Sequence, residues 1–75
     1  MKSEEYYRKT IKKNFSERLN ELLYTSKFTA REFAERINVA HESVNRWLAG
    51  DRLPSLCNAK KIADFFYKDL DYFVD

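Results

Sequence analysis

Between Phe28 and Gly50 the sequence holds two short amphipathic stripes separated by a single break, and few arrangements of chain accommodate that pattern in so little length. Thr29 suits an N-cap and Glu32 follows at the spacing of a capping box, in which each side chain satisfies the other's free backbone N–H. A helix therefore begins there. Phe33, Ala34 and Ile37 fall at i, i+1 and i+4 on one apolar face, while Arg31, Glu32, Glu35 and Arg36 occupy the other. Asn38 tolerates positive φ, so it can close this helix and turn the chain sharply, with Val39 plugging the corner. Val44, Trp47 and Leu48 then repeat at i, i+3 and i+4. That spacing predicts a second helix over about Ala40 to Leu48, with Trp47 in the core and His41, Glu42, Asn45 and Arg46 pointing outward. The outward face consists of hydrogen-bonding groups.

The remaining chain reads as more helix. With 75 residues, 44% of them hydrophobic, and only one Gly and one Pro, an all-α single domain with few turns is the natural class. Asn14 followed by Glu17 repeats the cap signal, and Phe15, Leu19, Leu22 and Leu23 form a stripe expected to end near Tyr24 to Ser26. Ahead of it, residues 1–13 are a charged extension with Ser3 as an available N-cap and Tyr6, Tyr7 and Ile11 at helical intervals. A helix and a disordered arm both fit it. Residues 14–75 make the domain proper. Gly50 and Pro54 bound a loop, Ser55 caps a helix with Ala59, Ile62, Ala63 and Phe66 inward, and Asp69 caps a last short helix with Leu70, Phe73 and Val74 inward. Five helices are expected, plus a sixth if the extension folds.

Charge is uneven although the net is only +2. Residues 1–26 carry six Lys/Arg against four Asp/Glu, residues 27–61 seven against four, and residues 62–75 one against four. A phosphate-facing surface with an acidic far side would have this distribution. The single Cys57 cannot form an internal disulfide, no apolar run approaches the roughly 20 residues needed to span a membrane, and no signal peptide is visible. A cytoplasmic protein is expected.

On these residues the stretch Phe15 to Val74 resembles the phage lambda repressor and Cro-like (Xre-type) helix-turn-helix family. The matching pieces are Asn14-Phe-Ser-Glu-Arg-Leu, Thr29-Ala-Arg-Glu-Phe-Ala-Glu-Arg-Ile, Val39, Val44-Asn-Arg-Trp, Gly50, Pro54-Ser-Leu, Lys61-Ile-Ala and Leu70-Asp. Their joint spacing is diagnostic where no single piece is. The chain departs from the pattern at Ala30, usually Gln, at Asn38, usually Gly, and at Ala40, usually Ser or Thr. The last departure removes the usual cap of the second helix. The resemblance implies a compact five-helix DNA-binding domain that docks the second helix into the major groove of double-stranded DNA. The chemistry of the outward face fits that role. Arg46 can fork to guanine O6 and N7, Asn45 can pair with adenine, Glu42 can accept from cytosine N4, and His41 can reach a purine N7 or a phosphate. Bland alternatives stand beside these: Arg46 on phosphate alone, and Glu42 paired with Arg46 one turn on. For the backbone, the resemblance implies free N–H groups at the start of the first helix aided by Thr29 and Arg31, with Ser43, Arg52 and Lys60 as further ligands. Lys60 and Lys61 read equally well as a solvated face.

The implied function is a sequence-specific transcriptional regulator, a repressor of phage or plasmid type or the DNA-binding domain of one, needing no cofactor or small-molecule substrate. An enzyme is not expected. The only His is His41, the only Cys is Cys57, a zinc site would need more ligands, and no glycine-rich loop exists to cradle phosphates. The serious rival is a protein-interaction module, such as an antitoxin or a regulator without DNA binding. Finally, Phe65, Phe66, Tyr67, Tyr72 and Phe73 put five aromatics into nine residues, more than two short inward stripes can bury. Exposed aromatics are enriched at protein contacts, so Phe65, Tyr67 and Tyr72 are expected at a homodimer interface matched to a near-palindromic operator. The alternative is a monomer whose aromatics pack on Tyr6, Tyr7 and Ile11.

Overall fold

Glu4 to Ser26 form one uninterrupted helix, α1, in a computed structural model that describes residues 1–75. Ser3 is its cap, with the hydroxyl accepting from the Tyr6 N–H at 3.2 Å. The extension is thus the first three turns of the core helix rather than a separate sixth one. Asn14, read from sequence as an N-cap, lies mid-helix instead. Nothing between Glu4 and Ser26 breaks a helix. Glu4–Arg8 (3.0 Å) and Glu5–Lys9 (3.6 Å) add ion pairs one turn apart. Exposed pairs of this spacing are worth only about 0.3–0.5 kcal/mol each, but they lie where tertiary packing is absent. Lys27, in the left-handed region at φ 62°, ends the helix.

Four shorter helices follow: α2 (Ala30–Ile37), α3 (His41–Ala49), α4 (Leu56–Phe65) and α5 (Leu70–Val74). No strand is present, so the all-α, five-helix reading holds. The inward stripes meet in one core. Phe15, Leu19 and Leu23 of α1, Phe33, Ala34 and Ile37 of α2, Val44 and Trp47 of α3, Ile62 and Ala63 of α4 and Phe73 of α5 are all buried. Trp47 is core, as its position beside Val44 predicts.

The C-terminal aromatics pack better than counting stripes suggested. Phe65 meets Phe28, Phe33 and Phe66 with ring centroids 5.0–5.6 Å apart, and Phe66 stacks on Phe33 at 5.4 Å. Phe73 stacks on Phe15 at 5.0 Å. Tyr72 meets Phe73 nearly at right angles at 5.2 Å, and the cations of Arg18 and Lys68 lie over its ring at 5.4 and 4.7 Å. Only Tyr67 stands free, at 96% exposure and φ 58°. The excess of aromatics is absorbed because Phe28, from the α1–α2 turn, supplies a partner the two stripes lacked.

Asp69 occupies the N-cap position of α5, but its carboxylate makes no cap bond. This five-residue helix is held from α1 instead. The Asn14 amide donates to the Val74 carbonyl at 3.1 Å, and the Arg18 Nε–H to the Tyr72 carbonyl at 3.1 Å.

Candidate nucleic-acid interface

The α2–α3 pair is built by backbone bonds that its own sequence specifies. Thr29 and Glu32 form the expected capping box: the Glu32 N–H donates to Thr29 Oγ1 at 3.1 Å, and the Thr29 N–H donates to Glu32 Oε1 at 2.9 Å. The Thr29 backbone N–H, helped by the Thr29 side chain, holds the Glu32 carboxyl below its ordinary pKa. Asn38 takes φ 59° as expected, and the Val39 N–H closes the turn on the Ala34 carbonyl at 3.0 Å. Two N–H groups at the head of α2, those of Ala30 and Arg31, take no acceptor within the chain.

The N-cap of α3, Ala40, is extended and offers no side-chain cap. The Ser43 and Val44 N–H groups both turn to the Ala40 carbonyl, at 3.1 and 3.3 Å, which leaves those of His41 and Glu42 open. Gly50 ends the helix at φ 77°, and its conformation rather than its size matters there: an added Cβ would meet Ser16 only at an ordinary 3.7 Å.

Two residues not singled out from the sequence fix the pitch of α3. The Ser16 hydroxyl and the Asn20 amide, one turn apart on α1, both donate to the Leu48 carbonyl, at 2.6 and 2.9 Å. A helix leaves its last carbonyls without intrahelical partners, so this clasp satisfies one of them and ties α3 to α1 at the same time. The only trace in sequence is a polar pair flanking the Phe15–Leu19–Leu23 stripe.

Glu42, Asn45 and Arg46 lie on the exposed face of α3, while His41 and Ser43 are half-buried at its start. Glu42 and Arg46 are not ion-paired, and the side chains of His41, Glu42, Asn45 and Arg46 make no hydrogen bond or salt bridge within the chain. A row of unsatisfied donors and acceptors on a rigid helix is what recognition of polar edges requires. Arg31 on α2 and Arg52 in the α3–α4 loop are exposed cations, likewise without a carboxylate partner. Thr29 has its oxygen engaged in the cap, and its hydroxyl proton stays available. Lys60 differs. Its ammonium bonds the Asp64 carboxylate at 2.9 Å, and that hydrogen bond, reinforced by the charge of Asp64, raises its pKa. The aromatic set divides as the packing dictates: Tyr67 projects, and Phe65 and Tyr72 are half-buried. No group of three or more His, Cys, Asp or Glu side chains could hold a metal ion, and no helix is long and apolar enough to cross a membrane.

A capped short helix, a left-handed turn and a second short helix with an unsatisfied polar face, all braced by a longer helix behind, define a helix-turn-helix protein. A helix-turn-helix family model matches residues 21–73, and the chain belongs to that family, the DNA-binding regulators of lambda repressor and Cro (Xre) type. Neither a characterised protein nor a solved structure matches it.

Proposed function

We propose that this chain is a sequence-specific transcriptional regulator of the cytoplasm, a repressor of phage or plasmid type or its DNA-binding domain, that reads the major groove with α3. The observation that carries this reading is the set of side chains on α3 left without partners in the chain. His41, Glu42, Asn45 and Arg46 are assigned to base edges. Thr29, Arg31, Ser43, Arg52 and Lys60 are assigned to phosphates, together with the open N–H groups at the heads of α2 and α3. Lys60 must exchange the Asp64 carboxylate for a phosphate, which makes it the weakest of the five. Two chains bind a near-palindromic operator, meeting through Tyr67, Phe65 and Tyr72.

Selection from a random duplex library tests binding and yields the site. On that site Asn45→Ala should cost about 1–3 kcal/mol and on random DNA little, because a base contact discriminates. Arg52→Ala should weaken both alike and reduce the salt slope by about 1. Equal loss on both duplexes for Asn45→Ala would place that residue on the backbone. Failure to select any duplex would favour a protein-interaction module.

A further inference from the structure

Helix α1 projects well beyond the core, and its projecting half carries cations that the helix-turn-helix does not use. From Tyr6 to Ser16 the chain holds Arg8, Lys9, Lys12 and Lys13 and no acidic residue. Lys9, Lys12, Lys13 and Ser16 fall at i, i+3, i+4 and i+7, one face of the helix. Ser16 is bonded to the Leu48 carbonyl, so this face is anchored beside the C-terminal end of α3. A groove runs between the three lysines and Ala49, Gly50 and Asp51. Ala49 is exposed and lies one turn beyond Asn45 and Arg46, so the groove borders the C-terminal end of the recognition face. Lys12 and Lys13 have no carboxylate within ion-pair distance, and Lys9 has only Glu5 at 3.6 Å.

We propose that Lys9, Lys12 and Lys13 form a second DNA contact, gripping the phosphodiester backbone that flanks the half-site read by α3. This rests on the DNA-binding reading above. Glu17 and Asp51 also border the groove. Two carboxylates against three ammonium groups leave too little net charge to retain a small anion inside. Long, flexible lysine side chains instead reach outward to successive phosphates of a strand, where counterion release supplies the affinity.

The test uses the full chain on the selected site in two duplexes, one with flanking base pairs and one trimmed to the site, each titrated with salt. Lys12→Gln/Lys13→Gln should bind the long duplex more weakly than the wild type, with a slope of log K against log salt shallower by about 1.8 for each bound chain, two phosphates at about 0.9 each. On the trimmed duplex the two proteins should match. Lys2→Gln/Lys61→Gln, which removes equal charge away from that face, should behave as wild type on both, and thermal melting confirms that each variant is folded. An unchanged slope on the long duplex overturns the contact and leaves the DNA reading standing. Equal loss on both duplexes places the lysines inside the site and overturns the flanking assignment. A wild-type chain that binds no duplex overturns both.

Discussion

Single residues in this domain act by fixing a backbone conformation or by refusing to. Glu32 is exposed, yet its carboxylate matters because it accepts the otherwise free Thr29 N–H at 2.9 Å. Its folded pKa is lowered, so the proton is held less readily in the folded than in the unfolded chain. The contribution is therefore fully present above the unfolded value and is lost as pH falls through the lowered folded value. Urea unfolding at neutral pH and at acid pH should show wild type losing more stability on acidification than Glu32→Gln, which keeps the reach but cannot titrate. Parallel loss would exclude the box as a source of acid sensitivity. Tyr67 is the opposite case, an exposed aromatic at φ 58°. A left-handed L-residue costs roughly 1–2 kcal/mol, and glycine's extra freedom in the unfolded chain returns part of that. Tyr67→Gly should thus stabilise the isolated domain by roughly 0.5–1 kcal/mol in urea melts. A residue that costs the fold stability and buries nothing within it is consistent with a role toward a partner.

At the level of elements, what the sequence disclosed depended on the range of the interactions involved. The capping box, the Asn38 turn, the Gly50 and Ser55 boundaries and the outward set on α3 are encoded within a few residues, and pattern alone finds them. Asn14 and Glu17 imitate a cap, so local pattern alone starts α1 at Phe15 rather than at Glu4. The Asn14 amide is in fact engaged by Val74, 60 residues away, a contact no local pattern reveals. The Ser16 and Asn20 clasp on Leu48 escaped for the same reason, at separations of 32 and 28 residues. Half-burial of His41 also follows from packing, not from its place on the helical wheel. Helix α3 illustrates a local signal whose consequence is measurable. Ala40 already has the extended N-cap conformation but no side chain to use it. Ala40→Ser should therefore raise stability by about 1 kcal/mol, read as a shift in the urea midpoint at constant slope. No gain would mean that the head of α3 is satisfied by other means.

Across the whole molecule, charge is unevenly divided along the chain. Residues 1–61 hold 13 Lys/Arg against eight Asp/Glu, and residues 62–75 hold one against four. The helix-turn-helix and the lysine-bearing half of α1 thus belong to the basic part, and α5 with Tyr67 belongs to the acidic part. On the proposed function, that division would leave the second part to meet another chain while the first meets phosphate. Because Phe65 and Tyr72 are half-buried, the dimer contact proposed for them and Tyr67 would be small. A dimer of this kind is expected to form weakly in free solution and firmly on an operator, where two half-sites about 34 Å apart hold the chains together and raise their effective concentration. Sedimentation of the free protein should show a monomer that associates only at high concentration, and saturated operator should carry two chains. Tyr67→Ala should leave binding to a single half-site unchanged and reduce affinity for the full operator. One chain per duplex at saturation, on a selected site without two-fold symmetry, would overturn the dimer and leave recognition by α3 intact.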